Sequence, residues 1–183
     1  MKFKLFLLSF FITLSTFVFS MTAPRSVDIS FNFKQQYRLA SNQFAIWIEN
    51  EEGDFIKNVF VTQFTADSGY IKRREALPLW VKKSNVKNYS QEKIDSICGA
   101  TPKENGVFTY SWDCTDSNGN PVPDGKYRFF VEGSTYWENR ILYSGIIALG
   151  ERPYAIGPFL EDSTIDAMKS EMITDLKAEI KEN

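Results

Sequence analysis

Apolar side chains occupy every second position of the stretch Val27-Asp28-Ile29-Ser30-Phe31-Asn32-Phe33. Because successive side chains of a β-strand point to opposite faces of its sheet, this alternation predicts a strand with one buried face. A second apolar run, Phe44-Ala45-Ile46-Trp47-Ile48, is followed by a polar turn around Gly53 and by another β-rich run that reaches Phe64. Two such runs around a short polar segment predict a β-hairpin.

Three more β-rich segments follow, at residues 107–112, 126–132 and 141–149. We expect the first two to pair with each other as neighbours along the chain. Strands joined by loops that contain Gly and Pro indicate an all-β fold, an antiparallel β-sandwich. We assign residues 21–160 to this domain.

Two helices are predicted beside the strands. The run Ser90-Gln91-Glu92-Lys93-Ile94-Asp95, followed by Gly99, predicts a short helical insertion that begins at a serine cap and stops at a glycine. An apolar stripe with spacings of three and four predicts a C-terminal amphipathic helix over residues 161–183, packed on the sandwich or docked on a partner; its members are Ile165, Met168, Met172, Leu176 and Ile180.

The N-terminus has the pattern of an export signal. Lys2 and Lys4 precede an uncharged apolar run, and small or aliphatic residues precede Ser20. This pattern predicts a signal peptide over residues 1–20, cleaved after Ser20, and a periplasmic or secreted protein. An uncleaved membrane anchor is the alternative, although the run is short for a span of about 20 apolar residues.

Composition excludes several kinds of chemistry. The chain has no histidine, so histidine-based catalytic pairs and His-ligated zinc sites are not available. Without Lys2 and Lys4, the 21 basic residues fall to 19 against 23 acidic ones, a net charge of −4. That balance argues against nucleic-acid binding, and we interpret the short basic cluster Lys72-Arg73-Arg74 as solvated loop charges.

Cys98 and Cys114 are separated by 15 residues. In an oxidising compartment the simplest expectation is a disulfide, which would contribute on the order of 3 kcal/mol of stability. Two free thiols are the alternative. A metal site is not expected, because no further cysteine or histidine is present to complete the ligands.

One run carries a chemically specific signal: Asp95-Ser96-Ile97-Cys98-Gly99-Ala100-Thr101. It resembles the signal by which extracytoplasmic flavin transferases select a threonine and join FMN to its hydroxyl through a phosphoester. The resemblance implies that Thr101 accepts the FMN, that Gly99 and Ala100 belong to the recognised run, and that Asp95 is a recognition or orienting carboxylate. Pro102 biases Thr101 towards an extended conformation, which would project its hydroxyl from a loop.

A longer resemblance covers most of the mature chain. The hairpin from Trp112-Asp113 to Pro121-Val122-Pro123-Asp124-Gly125-Lys126-Tyr127 resembles the immunoglobulin-like domain of the flagellar hook-capping protein. Together with Leu77-Pro78-Leu79-Trp80 and the run ending at Thr101, it is similar to the predicted periplasmic proteins of domain-of-unknown-function family 2271. The resemblance implies an immunoglobulin-like sandwich that works with a flavin transferase and a membrane redox protein. Cys98 and Cys114 both depart from the family pattern.

The function predicted is that of an electron carrier with covalent FMN on Thr101, not an enzyme that turns over a substrate. The alternative is a non-enzymatic binding or adaptor module of the cell envelope that uses exposed aromatic side chains. Trp80, Trp112 and Trp137 are candidates for stacking on the flavin, although tryptophans of a sandwich more often lie in its core. The oxygen-rich loop at residues 113–120 lacks the pattern of a calcium site, so no metal is predicted.

Overall fold

The computed structural model describes residues 25–37, 42–136 and 138–182; the predicted signal peptide, residues 1–20, lies outside them. Strands dominate this part of the chain: β1 (Arg25–Phe33), β2 (Gln43–Asn50), β3 (Phe55–Thr62), β4 (Cys98–Gly99), β5 (Gly106–Trp112), β6 (Gly125–Tyr136), β7 (Asn139–Leu149), β8 (Tyr154–Ser163) and β9 (Ile173–Glu182). The helices are short: α1 (Tyr70–Lys72), α2 (Pro78–Ser84), α3 (Gln91–Ile97) and α4 (Ile165–Ser170), with a π-helical turn at Thr65–Gly69 and a 3₁₀ turn at Val86–Asn88.

The first predicted strand is the middle of a three-stranded sheet with the order β5-β1-β9. Both neighbours run antiparallel to it, so that Ile29 lies opposite Tyr110 of β5 and Ala178 of β9. The apolar members of the alternation are completely buried: Val27, Ile29, Phe31 and Phe33. The apolar residues at every second position of β1 therefore form the buried face of this sheet.

The second sheet has six strands in the order β4-β3-β2-β6-β7-β8. The predicted hairpin is confirmed: β2 and β3 pair antiparallel across a turn in which Gly53 has a φ of 86°. Strand β2 lies near the middle of the sheet and is buried on both faces, which explains its continuous apolar run. At one edge, β4 adds two residues parallel to β3.

The two faces of the six-stranded sheet contribute to different apolar clusters. Phe44, Ile46 and Ile48 point into the core between the sheets, where they meet the apolar residues of β1. Ala45 and Trp47 point the other way and pack with Trp80 of α2, Ile94 of α3 and other residues of the helical insertion. The chain thus forms a sandwich-like pair of sheets with a helical layer outside the larger sheet, while the immunoglobulin-like type stays a prediction.

Buried carboxylates hold the helical layer on this sheet. The Glu132 carboxylate on β6 accepts backbone N–H groups of Leu79 at 3.2 Å and Trp80 at 2.8 Å, at the start of α2. At the other end of α2, the Lys83 ammonium donates to Glu49 Oε2 at 2.8 Å. The helix is therefore anchored at both ends by side chains of the central strands.

The predicted helix over residues 161–183 is wrong. Only α4 is helical, and the chain then becomes strand β9 along the free edge of β1. Leu176, Ala178 and Ile180 alternate with charged residues, so the same segment satisfies a period of two, and pairing with β1 uses its backbone hydrogen bonds as well. Ile165 and Met168, which the helical stripe would bury, are 71% and 53% exposed.

The expected pairing of the 107–112 and 126–132 segments is also wrong. β5 pairs with β1 in the smaller sheet, whereas β6 lies between β2 and β7 in the larger one. The connection between them crosses from one sheet to the other, because the inner faces of both strands are needed on opposite sides of one core. Within the described residues no helix has the length and apolar character needed to span a membrane.

Candidate functional site

The Gly-Ala-Thr run follows directly from α3. Ser90 caps this helix as predicted, its Oγ accepting the Lys93 N–H at 3.2 Å. The helix ends at Ile97, before the predicted glycine stop, because Cys98 is already extended (φ −108°, ψ 159°) and begins β4. Cys98 and Gly99 then pair with Val61 and Thr62 of β3, which fixes the direction of the chain as it reaches Thr101.

Gly99 is required by packing and not by a turn. A Cβ built at this position would lie 2.6 Å from Cε2 of the Phe60 ring. That ring cannot easily move away, since its centroid lies 4.4 Å from that of Tyr110 and 5.2 Å from that of Phe44. The glycine of the run therefore allows β4 to lie flat against an aromatic cluster.

Thr101 lies at an open cleft of about 480 Å³. Ala100 is exposed and Thr101 is partly buried, in the irregular segment that leads to β5. The cleft is lined by residues from two separate parts of the chain: Gln63, Phe64, Asp67, Gly69 and Lys72 from one, and Ala100, Thr101 and Lys103 from the other. The predicted acceptor hydroxyl thus belongs to a concave surface of the size that small-molecule sites have, about 300–1,000 Å³.

The other segment that lines the cleft contains a packed turn at Thr65–Gly69. Thr65 and Ala66 are completely buried, and Thr65 Oγ1 donates to Gln43 Oε1 at 3.0 Å. Gly69 has no room for a side chain, because a Cβ there would lie 2.0 Å from the Phe64 carbonyl oxygen. This turn leaves the Phe64 ring 39% exposed beside the cleft.

The cleft carries two ammonium groups and one carboxylate. Lys72 ends α1 and Lys103 follows Pro102, and both side chains are exposed. Neither forms an ion pair with a carboxylate of the described residues. Asp67 is the acidic residue of the lining.

The two lysines and Phe64 were not predicted from the sequence as residues of the site. The basic cluster at Lys72 was interpreted as solvated loop charge, and nothing local in the sequence links it to Thr101. The pairing of β4 with β3 brings the two segments together. The sequence offered only a weak signal for this part of the site. Phe64 is an apolar residue near the end of a strand, and Lys72 is a basic residue in a short helix that follows it.

Asp95, the first residue of the run that ends at Thr101, does not line the cleft. Its carboxylate is exposed and accepts the Gln91 Nε2–H at 2.9 Å, one helical turn back. Burial raises the pKa of the Cys98 thiol, and the negative charges of Asp95 and Asp67 raise it further. Because the Asp95 side chain is exposed, it is accessible to a partner protein.

The expected disulfide between Cys98 and Cys114 is wrong, because both are free cysteines in the structure. Cys114 lies in the core between the sheets, and Cys98 packs with the cluster on the outer face of the larger sheet. The body of the sheet separates the two side chains. Burial raises the pKa of Cys114 to about 11, so this thiol is protonated at neutral pH.

The tryptophans do not form the cleft. Trp80 is completely buried and donates its indole N–H to Asn58 Oδ1, while Trp112 is 1% exposed and donates to the Thr115 carbonyl oxygen at 2.9 Å. Both are core residues, and the predicted stacking role does not apply to them. Trp137 lies outside the described residues.

The oxygen-rich loop after β5 is explained by its own hydrogen bonds. Lys57 Nζ lies 2.8 Å from Asp113 Oδ1, and Asp116 Oδ1 accepts the N–H groups of Asn118 and Asn120 at 2.8 and 2.9 Å. In the part of the chain that the structure describes, no group of three or more acidic or cysteine side chains is arranged to hold a metal ion. These carboxylates close a turn.

Comparisons with known proteins assign the chain to a family. No curated protein and no solved structure matched it. A family model with the description "Predicted periplasmic protein (DUF2271)" matches residues 24–155, from β1 to the start of β8. The description confirms the predicted periplasmic localisation. The match covers well over half of the sequence and includes the whole Gly-Ala-Thr run, and the chain therefore belongs to this family of predicted periplasmic proteins.

Proposed function

We propose that this protein is a periplasmic electron carrier that holds FMN on Thr101 through a phosphoester. One observation carries the proposal: the threonine of the Asp95-to-Thr101 run lies on the lining of a cleft of about 480 Å³. An exposed Ala100 precedes it, so the acceptor segment is accessible to a modifying protein. The resemblance to the signal read by flavin transferases supplies the identity of the group.

The residues that line the cleft are suited to binding FMN. A cleft with a hydroxyl, two cations and an exposed aromatic ring matches the phosphate and the flat ring system of FMN. When bound, the flavin supplies the redox chemistry, and the protein supplies position and electrostatics. Membership of the family by itself assigns no such activity.

The attachment is a group transfer from FAD. Thr101 Oγ attacks the phosphorus on the FMN side of the pyrophosphate, and the bond from that phosphorus to the bridging oxygen breaks. AMP leaves, and the hydroxyl proton passes to the transferase or to solvent. We expect a flavin transferase to supply FAD and magnesium, and a membrane redox protein to exchange electrons with the finished carrier.

The test is the intact mass of the protein after co-expression with a flavin transferase from the same organism. We expect a gain of one FMN less one water in the wild type, and no gain in Thr101→Ala. Thr109→Ala is the matched control, because Thr109 is an exposed threonine of β5 away from the run. An unmodified wild type beside an active transferase, or a Thr101→Ala protein that still gains the mass, overturns the proposal.

The binding or adaptor module remains a second candidate because of a different surface. Strand β8 forms the edge of the larger sheet opposite β4 and exposes several apolar side chains: Tyr154, Ile156, Phe159 and Leu160, each 43–50% exposed. Such a patch is typical of contact surfaces. An unmodified Thr101, together with a ligand lost on Phe159→Ala, would favour this function.

We also propose that the sandwich is of the immunoglobulin-like type. The Tyr127 hydroxyl donates to the Pro123 carbonyl oxygen at 2.8 Å, and its ring packs edge-on against Trp112 with centroids 5.2 Å apart. A tyrosine that bonds to the backbone a few residues upstream is a recurring feature of such domains. These residues belong to the hairpin that resembles the hook-capping domain.

A further inference from the structure

We propose that the cleft beside Thr101 recognises a phosphorylated flavin through three side chains: Lys72 and Lys103 bind the phosphate, and Phe64 packs against the isoalloxazine ring. This inference rests on the proposed function and assigns residues that the Gly-Ala-Thr run does not contain. It makes the cleft a binding site in its own right, beyond the covalent bond.

The charges of the cleft favour an anion. Many lysines of the described residues form an ion pair with a carboxylate, and those pairs are Lys34–Glu171, Lys57–Asp113, Lys83–Glu49, Lys126–Glu51, Lys177–Glu179 and Lys181–Glu179. Lys72 and Lys103 do not, although both line the same concave surface. With Asp67 included, the lining has an excess of one positive charge, which matches the single charge of a phosphodiester.

Lys103 lies in the cleft because it is only two residues after Thr101 in the chain. Pro102 favours an extended conformation for the residue before it, and residues two apart in an extended chain point to the same side. Thr101 and Lys103 accordingly both line the cleft. A phosphate joined to Thr101 would therefore share the cleft with this ammonium group.

Phe64 provides the flat apolar surface. It follows the end of β3 and packs so closely on Gly69 that a Cβ at position 69 would not fit. Phe64 is 39% exposed, whereas Trp47, Trp80 and Trp112 are buried in the core. An exposed aromatic ring on a closely packed turn is suited to stacking against a planar ligand.

The experiment measures reversible binding to Thr101→Ala protein, which has no hydroxyl to modify. Equilibrium dialysis with FMN and with riboflavin compares two ligands that share the ring system and differ in the phosphate. We expect FMN to bind about tenfold more tightly than riboflavin, as two partly exposed ion pairs would give. The preference should shrink at high salt.

Two sets of variants, made in the Thr101→Ala background, separate the contributions. Lys72→Gln with Lys103→Gln should abolish the preference for FMN, whereas Lys87→Gln with Lys169→Gln, an equal charge change at exposed lysines elsewhere, should keep it. Asp67→Asn should increase the preference for FMN.

The aromatic variants test the contact with the ring system. Phe64→Ala should weaken the binding of both ligands about tenfold, while Phe159→Ala, at a phenylalanine of similar exposure on the opposite edge of the sheet, should not. Phe64→Leu keeps an apolar side chain at the turn and should also weaken binding.

The outcomes separate this inference from the proposed function. Equal affinities for FMN and riboflavin, or no binding of either at millimolar concentration, overturn the inference even if Thr101 is flavinylated. A preference for FMN that depends on the two lysines supports it. If the mass test fails while this preference persists, the covalent carrier is wrong and the cleft is a reversible flavin phosphate site.

Discussion

Among single residues, Gly99 shows why the run that ends at Thr101 contains a glycine: a larger residue would clash with the Phe60 ring. Its position against Phe60 predicts that Gly99→Ala will lower the free energy of unfolding by about 1–3 kcal/mol, since a methyl group must displace a packed ring. It should also reduce flavinylation, because β4 positions the acceptor. Urea unfolding and intact mass measure the two effects.

Gly125→Ala is the control for this prediction. Gly125 begins β6, and a Cβ there would have no heavy atom within 4 Å, so the change should stay within about 0.5 kcal/mol. Phe60→Leu should partly relieve Gly99→Ala, making the double variant less unstable than the sum of the single ones. A Gly99→Ala protein as stable as Gly125→Ala would refute the packing argument.

Glu132 predicts a dependence of stability on pH. It is completely buried, and burial raises its pKa from 4.5 to about 7, against the opposing hydrogen bonds from Trp80 and Leu79. The folded state therefore keeps a proton that the unfolded chain loses above about pH 4.5. Its contribution to stability is complete below that pH and is lost as the pH rises towards 7.

The measurement compares the wild type with Glu132→Gln from pH 4.5 to 8. We expect the wild type to lose on the order of 1–3 kcal/mol relative to the variant across this interval, since the glutamine does not titrate. Chemical unfolding at each pH gives the difference. A constant difference between the two proteins would contradict the raised pKa of Glu132.

Among the secondary-structure elements, β9 allows a direct test between the strand seen in the structure and the helix predicted from the sequence. In the strand, Ala178 lies opposite Ile29 and packs on the core between the sheets, whereas in the predicted helix it would be on the polar face. Ala178→Lys should therefore destabilise the protein by about 2–4 kcal/mol. Thermal or urea unfolding measures this change.

Met168→Lys is its counterpart. The helical stripe would bury Met168, but the side chain is 53% exposed in α4, so the substitution should cost little. If residues 173–182 form a strand, Ala178→Lys should destabilise the protein strongly and Met168→Lys only slightly. If they continue a helix, the two substitutions should have the reverse effects. The second pattern would show that the C-terminus does not pair with β1.

At the scale of the whole molecule, the larger sheet separates the two cysteines. We expect that a reducing agent will leave the midpoint of thermal unfolding unchanged, because no covalent bond joins the two faces. Alkylation of the unfolded, unreduced protein should add two groups by mass. Protein that adds none until it is reduced would indicate a bridge and a different packing of β4.

Features that depend on neighbouring residues could be predicted from the sequence alone. The alternation in β1, the turn at Gly53 and the serine cap of α3 each follow from a local pattern with one physical solution. The Asp95-to-Thr101 run could be found in the same way, because its residues are contiguous. Fold class and the candidate acceptor were therefore predictable.

Features that depend on residues far apart in the chain could not be predicted, because they are set when the sheets assemble. Residues 173–182 fit a helix and a strand almost equally well, and the free edge of β1 selected the strand by offering backbone partners that a helix would not use. Phe64 and Lys72 meet Thr101 and Lys103 in one cleft only because β4 pairs with β3. A local pattern has no information about which edge of a sheet is open or which loops meet there, since both are properties of the assembled core.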